Sequence, residues 1–314
     1  MSYMHLFVHT PLRPEARAQL LLHLPATIRA TFRTDIPPEQ QREQLLTAHF
    51  LLGNPPLEWL QPTLPGRLQF WQIDSAGIDR YQQLQPGFPV ANMGDFFAWA
   101  CAETMVAGLL GLLRYIPELA VWQQQRHWEG AAVRPRLGLL RGQRVIILGS
   151  GAIGQAVAEQ LRGFGCSVQF LARTDPSAHI HTRAELLAAL PATDIVVNCL
   201  PGSAKKFFSR ELIDALPAHA LYANVGRGTT TDELALIAAL QAGRLGGAVL
   251  DVTAQEPLPA DSPIWKLPRV LLTQHSGGGR PAEDEGKVEL FLRNLQHVLR
   301  AEPVENPVQL QRGY

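Results

Sequence analysis

The stretch that most constrains this chain is RVIILGSGAIGQAVAEQLRGFGCSVQFL, residues 144–171. An uninterrupted apolar run, Val145–Leu148, leads into Gly149-Ser150-Gly151-Ala152-Ile153-Gly154. The glycines open a helical pattern, and Val168–Leu171 supplies a second strand within about 30 residues of the first. Each glycine answers a physical demand of that sequence: Gly149 permits the tight turn, Gly151 lets backbone approach a pyrophosphate, and Gly154 lets the helix pack closely on the strand. Ser150, Ala152 and Ile153 complete the loop, whose N–H groups and positive helix end suit the phosphates of a dinucleotide.

The residue ending the second strand sorts dinucleotides, because an acid there binds a ribose 2′-hydroxyl whereas arginine suits a 2′-phosphate. The strand ends Phe170-Leu171-Ala172-Arg173-Thr174. With Ala172 where the acid would stand, Arg173 and Thr174 favour NADP, and NAD is the second choice. Asp175, beside Pro176, reads as a turn residue.

Strand and helix signals alternate along most of the chain, which predicts an α/β protein with mainly parallel sheets. Before the glycine loop the pattern gives strands at His5–His9, His49–Leu52 and Leu68–Ile73 and a helix at Pro14–His23. A long helix running from Asn92 to about Arg114 is expected to cross between domains. Beyond it, strands are predicted at Ile195–Cys199, Leu221–Asn224, Ala248–Val252 and Val270–Thr273. A length of 314 residues fits two domains, with enough apolar residues (46%) for two cores.

Lys+Arg and Asp+Glu each total 28, so no net field favours nucleic acid or a membrane surface. The three cysteines, Cys101, Cys166 and Cys199, have no C-x-x-C spacing and read as buried cytosolic thiols, with no metal site. The N-terminus lacks a signal-peptide pattern and no apolar run is long enough to span a bilayer, so a cytoplasmic protein is expected.

Three of the later strands run into polar loops, where open α/β sheets place ligands. Leu221–Asn224 leads to Val225-Gly226-Arg227-Gly228, Ala248–Val252 to Thr253-Ala254-Gln255-Glu256-Pro257, and Val270–Thr273 to Gln274-His275-Ser276-Gly277. Arginine, glutamate and histidine thus come from three strand ends.

With these residues the chain resembles the D-isomer-specific 2-hydroxyacid dehydrogenases. The resemblance covers nearly its whole length: the Ser75–Asp79 turn, the glycine loop, NVGRGTTTDELAL at 224–236, DVTAQEPLP at 251–259 and TQHSGG at 273–278. YIPELAVWQQQRHWEG at 115–130, the Ala-Arg-Thr after the second strand and the closing Arg-Gly-Tyr look most like the glyoxylate/hydroxypyruvate reductase A type.

The resemblance implies two Rossmann-like domains: a cofactor domain over 93–283, and a discontinuous substrate domain of 1–92 plus 284–314, with substrate in the cleft between them. It implies reduction of a small 2-oxo acid with NAD(P)H. Arg227 would hold the carboxylate and keto oxygen, His275 would donate the proton, and Glu256 would orient the histidine and partner its protonated ring. The Ala76 and Gly77 N–H groups would complete the carboxylate cradle. Leu200, Pro201, Val225, Gly226, Arg227, Asp251, His275 and Gly277 would border the cofactor, and the protein would be a homodimer formed through the cofactor domain. A formate dehydrogenase reading meets Glu256 where glutamine would pair with histidine. A dinucleotide-sensing, corepressor-like binding protein on the same fold keeps the triad and is the alternative.

The chain departs from the family pattern in three places. The loop Pro201-Gly202-Ser203-Ala204-Lys205-Lys206 is unusual and Thr231 replaces a common valine, a change expected to be minor. Gln274 replaces a common proline before a Ser276–Gly279 segment that reads as flexible.

Overall fold

The computed structural model describes residues 3–312. Gly313 and Tyr314 of the closing Arg-Gly-Tyr, and the first two residues of the N-terminus, lie outside the described residues. The chain forms two compact units, Met1–Phe96 with Arg280–Tyr314, and Phe97–Gly279.

The first unit is built on β1 (Met4–Val8), β2 (Ile28–Phe32), β3 (Phe50–Leu52), β4 (Phe70–Gln72) and β5 (Val90–Ala91), in the order β2-β1-β3-β4-β5 and parallel throughout. Period-two alternation splits the strand residues between two cores. Leu6, Val8, Phe50, Leu52 and Phe70 pack with α1 (Pro14–His23) and the C-terminal helix Glu283–Leu299. Phe7, Leu51 and Trp71 face the opposite core, with Leu45 of α2 (Pro38–Leu46) and Tyr81.

The second unit holds α3 (Ala98–Leu113), α4 (Ile116–Gln124), β6 (Arg144–Leu148), α5 (Ala152–Arg162), β7 (Ser167–Leu171), α6 (Arg183–Ala189), β8 (Ile195–Asn198), α7 (Arg210–Asp214), β9 (Leu221–Asn224), α8 (Glu233–Gln241), β10 (Gly247–Leu250) and β11 (Val270–Leu272). Its sheet runs β11-β10-β9-β8-β6-β7, again all parallel. Val145, Ile147, Val197, Ala223 and Val249 face α3 and α5, while Ile146, Leu148, Val196, Tyr222 and Leu250 face α6, α7 and α8. The register is what positions the site. Leu148 pairs with Leu171 and Asn198, Asn198 with Asn224, Asn224 with Leu250, and Leu250 with Leu272. All six strands therefore end on one line, and six loops leave the same sheet edge together.

Two strands escape the sequence pattern, β2 and the two-residue β5, and so do α2 and the helices whose bounds the pattern does not give, α4, α6, α7, α8 and Glu283–Leu299. The long helix begins at Ala98, not Asn92, because Asn92 Oδ1 accepts the Gly94 N–H and Phe96 N–H bonds Met93 O, closing a turn. It also lies wholly within the second unit, packed on α5, β9 and β10. No single helix among the described residues is long and apolar enough to cross a membrane. Among them, no group of three or more His, Cys, Asp or Glu is placed to hold a metal ion.

Candidate active site

The glycine loop leaves β6 at the point where the strand order reverses, since the chain next adds β7 on one side of β6 and then β8 on the other. Gly149 has φ +100°, a left-handed value that glycine adopts without penalty. A Cβ on Gly154 would stand 2.3 Å from the Gly149 carbonyl oxygen, so this helix sits too close to its strand for any side chain. A Cβ on Gly151, by contrast, would meet nothing within 4 Å, and Gly151 caps α5 with no side-chain hydrogen bond. Open space faces an uncapped helix N-terminus, which is the arrangement that receives a pyrophosphate. Arg173 and Thr174 are exposed just past β7.

Arg227 follows β9 on a loop fixed from beneath. Asn224 Oδ1 accepts the Gly226 N–H at 3.1 Å, and Thr230 Oγ1 donates to Arg227 O at 2.6 Å. Asn198 Nδ2 donates to Tyr222 OH and Thr230 Oγ1 at 2.9 and 2.8 Å, and its Oδ1 accepts Leu200 N–H at 3.0 Å. Leu200, Pro201, Val225 and Gly226 are gathered in the same place: a Cβ on Gly226 would lie 2.4 Å from Leu200 O. Thr231 joins this buried network, with its hydroxyl bonded to Tyr222 OH and to Asn224 Nδ2. The change from valine is therefore not minor, because a hydroxyl here satisfies two buried polar groups. Burial drives the Tyr222 hydroxyl to a far higher pKa than usual, so it stays a neutral link.

Glu256 and His275 meet directly. His275 Nδ1 and Glu256 Oε2 are 2.6 Å apart, and Glu256 Oε1 accepts Thr253 N–H at 3.0 Å. Their side chains are 53% and 35% exposed, so the pair is reachable from solvent. They line a cavity of about 500 Å³ with Leu258, Trp265 and Leu272.

The histidine loop wraps around Asp251. The buried Asp251 carboxylate accepts from Thr273 Oγ1, Ser276 N–H and Gly277 N–H, and its carbonyl accepts His275 N–H at 2.6 Å. Thr104 Oγ1 donates to Gly277 O, and Gly279 N–H to Ser276 O. The segment read as flexible is thus bonded along its length. Gln274 and His275 have φ of 54° and 56°, values no proline ring can take at 274.

In the first unit, the turn carrying Ala76 and Gly77 is pinned by three side chains. Asn54 Nδ2 donates to Ser75 Oγ, Ser75 Oγ donates to Gly77 O, and Asn92 Nδ2 donates to Ala76 O. Among the described residues, neither the Ala76 nor the Gly77 N–H has a protein acceptor. The loop at 201–206 is tied to the segment after Arg227, with Lys206 N–H on Thr229 O and Phe208 N–H on Thr230 O.

Sequence reasoning missed Asn198, Asn224 and Thr230 as positioning residues. For Asn198 and Asn224 the signal was a polar residue closing an otherwise apolar strand, as in VVN and LYAN, whereas Thr230 follows the strand and carried none.

Residues 106–277 match the family model described as D-isomer specific 2-hydroxyacid dehydrogenase, NAD binding domain. The chain is 38% identical over 280 residues to a glyoxylate/hydroxypyruvate reductase A of Salmonella heidelberg, covering 84% of this chain and 86% of that protein. A D-isomer specific 2-hydroxyacid dehydrogenase family protein from Aeromonas salmonicida superposes with a TM-score of 0.84 at 26% identity, over 98% of this chain and 100% of the other. The D-isomer specific 2-hydroxyacid dehydrogenase of Xanthobacter autotrophicus, solved with NADPH and MES, gives 0.80 at 26% identity over 100% of both chains. None of these carries the corepressor-like alternative. By sequence and by fold the chain belongs to the D-isomer specific 2-hydroxyacid dehydrogenases, NAD(P)-dependent oxidoreductases, and within them is of the glyoxylate/hydroxypyruvate reductase A type.

Proposed function

We propose that the enzyme reduces a small 2-oxo acid, glyoxylate or hydroxypyruvate in kind, to the 2-hydroxy acid, with NADPH preferred and NADH accepted. The observation that carries this reading is the 2.6 Å approach of His275 Nδ1 to Glu256. With Nδ1 committed to a carboxylate, Nε2 is the nitrogen that can deliver a proton to a keto oxygen. NADPH, when bound, supplies the hydride. Gly149–Gly154 hold its pyrophosphate, with Leu200, Pro201, Val225, Gly226 and Gly277 along the same sheet edge and Asp251 fixing the His275 loop. Arg227 binds and orients the substrate carboxylate and keto oxygen through its planar fork, and the Ala76 and Gly77 N–H groups are carboxylate donors on the first unit. The NADPH-bound relative from Xanthobacter and the reductase name of the Salmonella relative support the same choice.

A cytoplasmic homodimer fits this reading. Ile116, Val121 and Trp128, at 55%, 50% and 92% exposure, give the second unit an apolar surface around α4 suited to a second copy. Steady-state assays of glyoxylate, hydroxypyruvate, pyruvate and oxaloacetate with each cofactor test the proposal. Highest kcat/KM with glyoxylate or hydroxypyruvate and NADPH is the expected result, and no turnover of any 2-oxo acid overturns it.

A further inference from the structure

Asp175 is more than a turn residue. Because Leu148 and Leu171 are paired, the chain leaves β6 and β7 at the same level, and Gly149-Ser150 and the 172–175 segment emerge side by side. The segment is then folded back on the edge of its own strand. Ala172 N–H donates to Ile180 O at 3.0 Å, Leu171 forms a bridge with Ile180, and the His181 ring lies 3.0 Å from Ala172 O. The turn so made fixes the Asp175 side chain. Its Oδ1 accepts from Ser177 N–H at 2.9 Å and from Ser177 Oγ at 2.6 Å. The Ser150 side chain, from the middle of Gly149-Ser150-Gly151, stands near the same carboxylate and is the largest cause of its lowered pKa. Ser150 and then Ser177 hold that pKa down at about 2, with His181 adding a smaller electrostatic pull. A full negative charge therefore stands beside the glycine loop at any working pH.

We propose that Asp175 is a specificity-determining residue whose carboxylate stands at the 2′ side of the adenosine ribose, where it accepts from a ribose hydroxyl and opposes a 2′-phosphate. The proposal rests on the dinucleotide reading above and refines it. Arg173 and Thr174 attract the 2′-phosphate, Asp175 repels it, and the selectivity for NADPH is the difference between the two. The acid missing at position 172 is thus supplied three residues later, by a turn that brings it back to the loop. A phosphate carries close to two negative charges, so the opposition is large enough to matter even where solvent screens it.

The test is equilibrium binding of NADPH and NADH to the whole enzyme, without substrate, for the wild type, Asp175→Asn and Arg173→Ala. Asparagine keeps an oxygen for Ser177 and Ser150 and removes only the charge, and a thermal melt checks that the fold is kept. In Asp175→Asn, NADPH should bind about fivefold to tenfold tighter, with NADH equal or slightly weaker. The gain should shrink as salt is raised. Arg173→Ala should move the ratio the opposite way. A ratio of the two dissociation constants unchanged by Asp175→Asn, with both cofactors still binding, overturns the role of Asp175 and leaves the dinucleotide reading standing. Failure of the wild type to bind either cofactor overturns both.

Discussion

The Glu256 carboxylate is held at both oxygens, by His275 Nδ1 at 2.6 Å and by the Thr253 N–H at 3.0 Å. A carboxylate so fixed sets the plane and tautomer of the ring it faces, and Nδ1 carries the proton that the carboxylate accepts. The histidine backbone is set separately, through the bond from its N–H to Asp251 O. Two independent anchors therefore point Nε2, one through the ring and one through the main chain.

His275→Ala should leave NADPH binding nearly intact and lower turnover by roughly 10²–10⁴, the usual worth of a positioned acid. Glu256→Gln retains an oxygen for the Thr253 N–H but removes the charge, and should cost less than the loss of the ring. Steady-state kinetics on hydroxypyruvate or glyoxylate check both. Turnover near wild type in His275→Ala would remove this histidine from the chemistry.

Arg227→Lys is not a conservative change, because a point charge cannot span carboxylate and carbonyl oxygens as a fork does. Its loop is held by Asn224, Thr230 and the Asn198 network, none of which needs the guanidinium, so the fold should survive. Both kcat and KM for the 2-oxo acid should worsen while the melting temperature stays close to wild type. Altered stability with preserved kinetics would assign Arg227 to structure alone.

Two glycines of the same loop separate packing from binding. Gly154→Ala places a methyl 2.3 Å from Gly149 O, an overlap that must move the α5 helix and costs about 1–3 kcal/mol. Gly151→Ala meets nothing within 4 Å at an ordinary φ of −71°, so the protein should melt normally. The new methyl then stands where the pyrophosphate needs bare backbone, and cofactor affinity should fall. Equal effects of the two substitutions on melting would contradict this division.

What the sequence reveals depends on how completely an element is buried. Arg144–Leu148, Ile195–Asn198 and Leu221–Asn224 lie in the middle of a parallel sheet and read as near-continuous apolar runs, which is why the glycine loop and the Arg227 loop were legible. Ile28–Phe32 is an edge strand with exposed Arg29, and Pro38–Leu46 buries only Leu45, so neither leaves a strong period. Thr231 and Asp175 failed for another reason. Their partners, Tyr222, Asn224 and Ser150, are 7–25 positions away and become neighbours only through strand register. Local patterning has no access to such contacts.

Acid destabilises the first unit through a half-buried histidine. His9 follows β1 half-buried, with its ring edge-on to Trp59 at a centroid distance of 5.6 Å. Burial, and then repulsion from Arg33 and Arg80, pushes its pKa down to about 4. The unfolded chain has the ordinary value of about 6.5. Between those values the unfolded state takes up a proton that the folded state refuses, so stability is greatest above about pH 6.5 and falls as pH drops toward 4. Each unit of difference amounts to about 1.4 kcal/mol, and partial exposure of the ring leaves about 1–2 kcal/mol over the window. His5, also lowered chiefly by burial, acts with the same sign. His9→Gln should flatten part of the slope of unfolding free energy between pH 6.5 and 4.5, as measured by urea denaturation, while the His5 contribution persists. Parallel losses in wild type and His9→Gln across that range would mean that His9 accepts its proton in the folded protein after all.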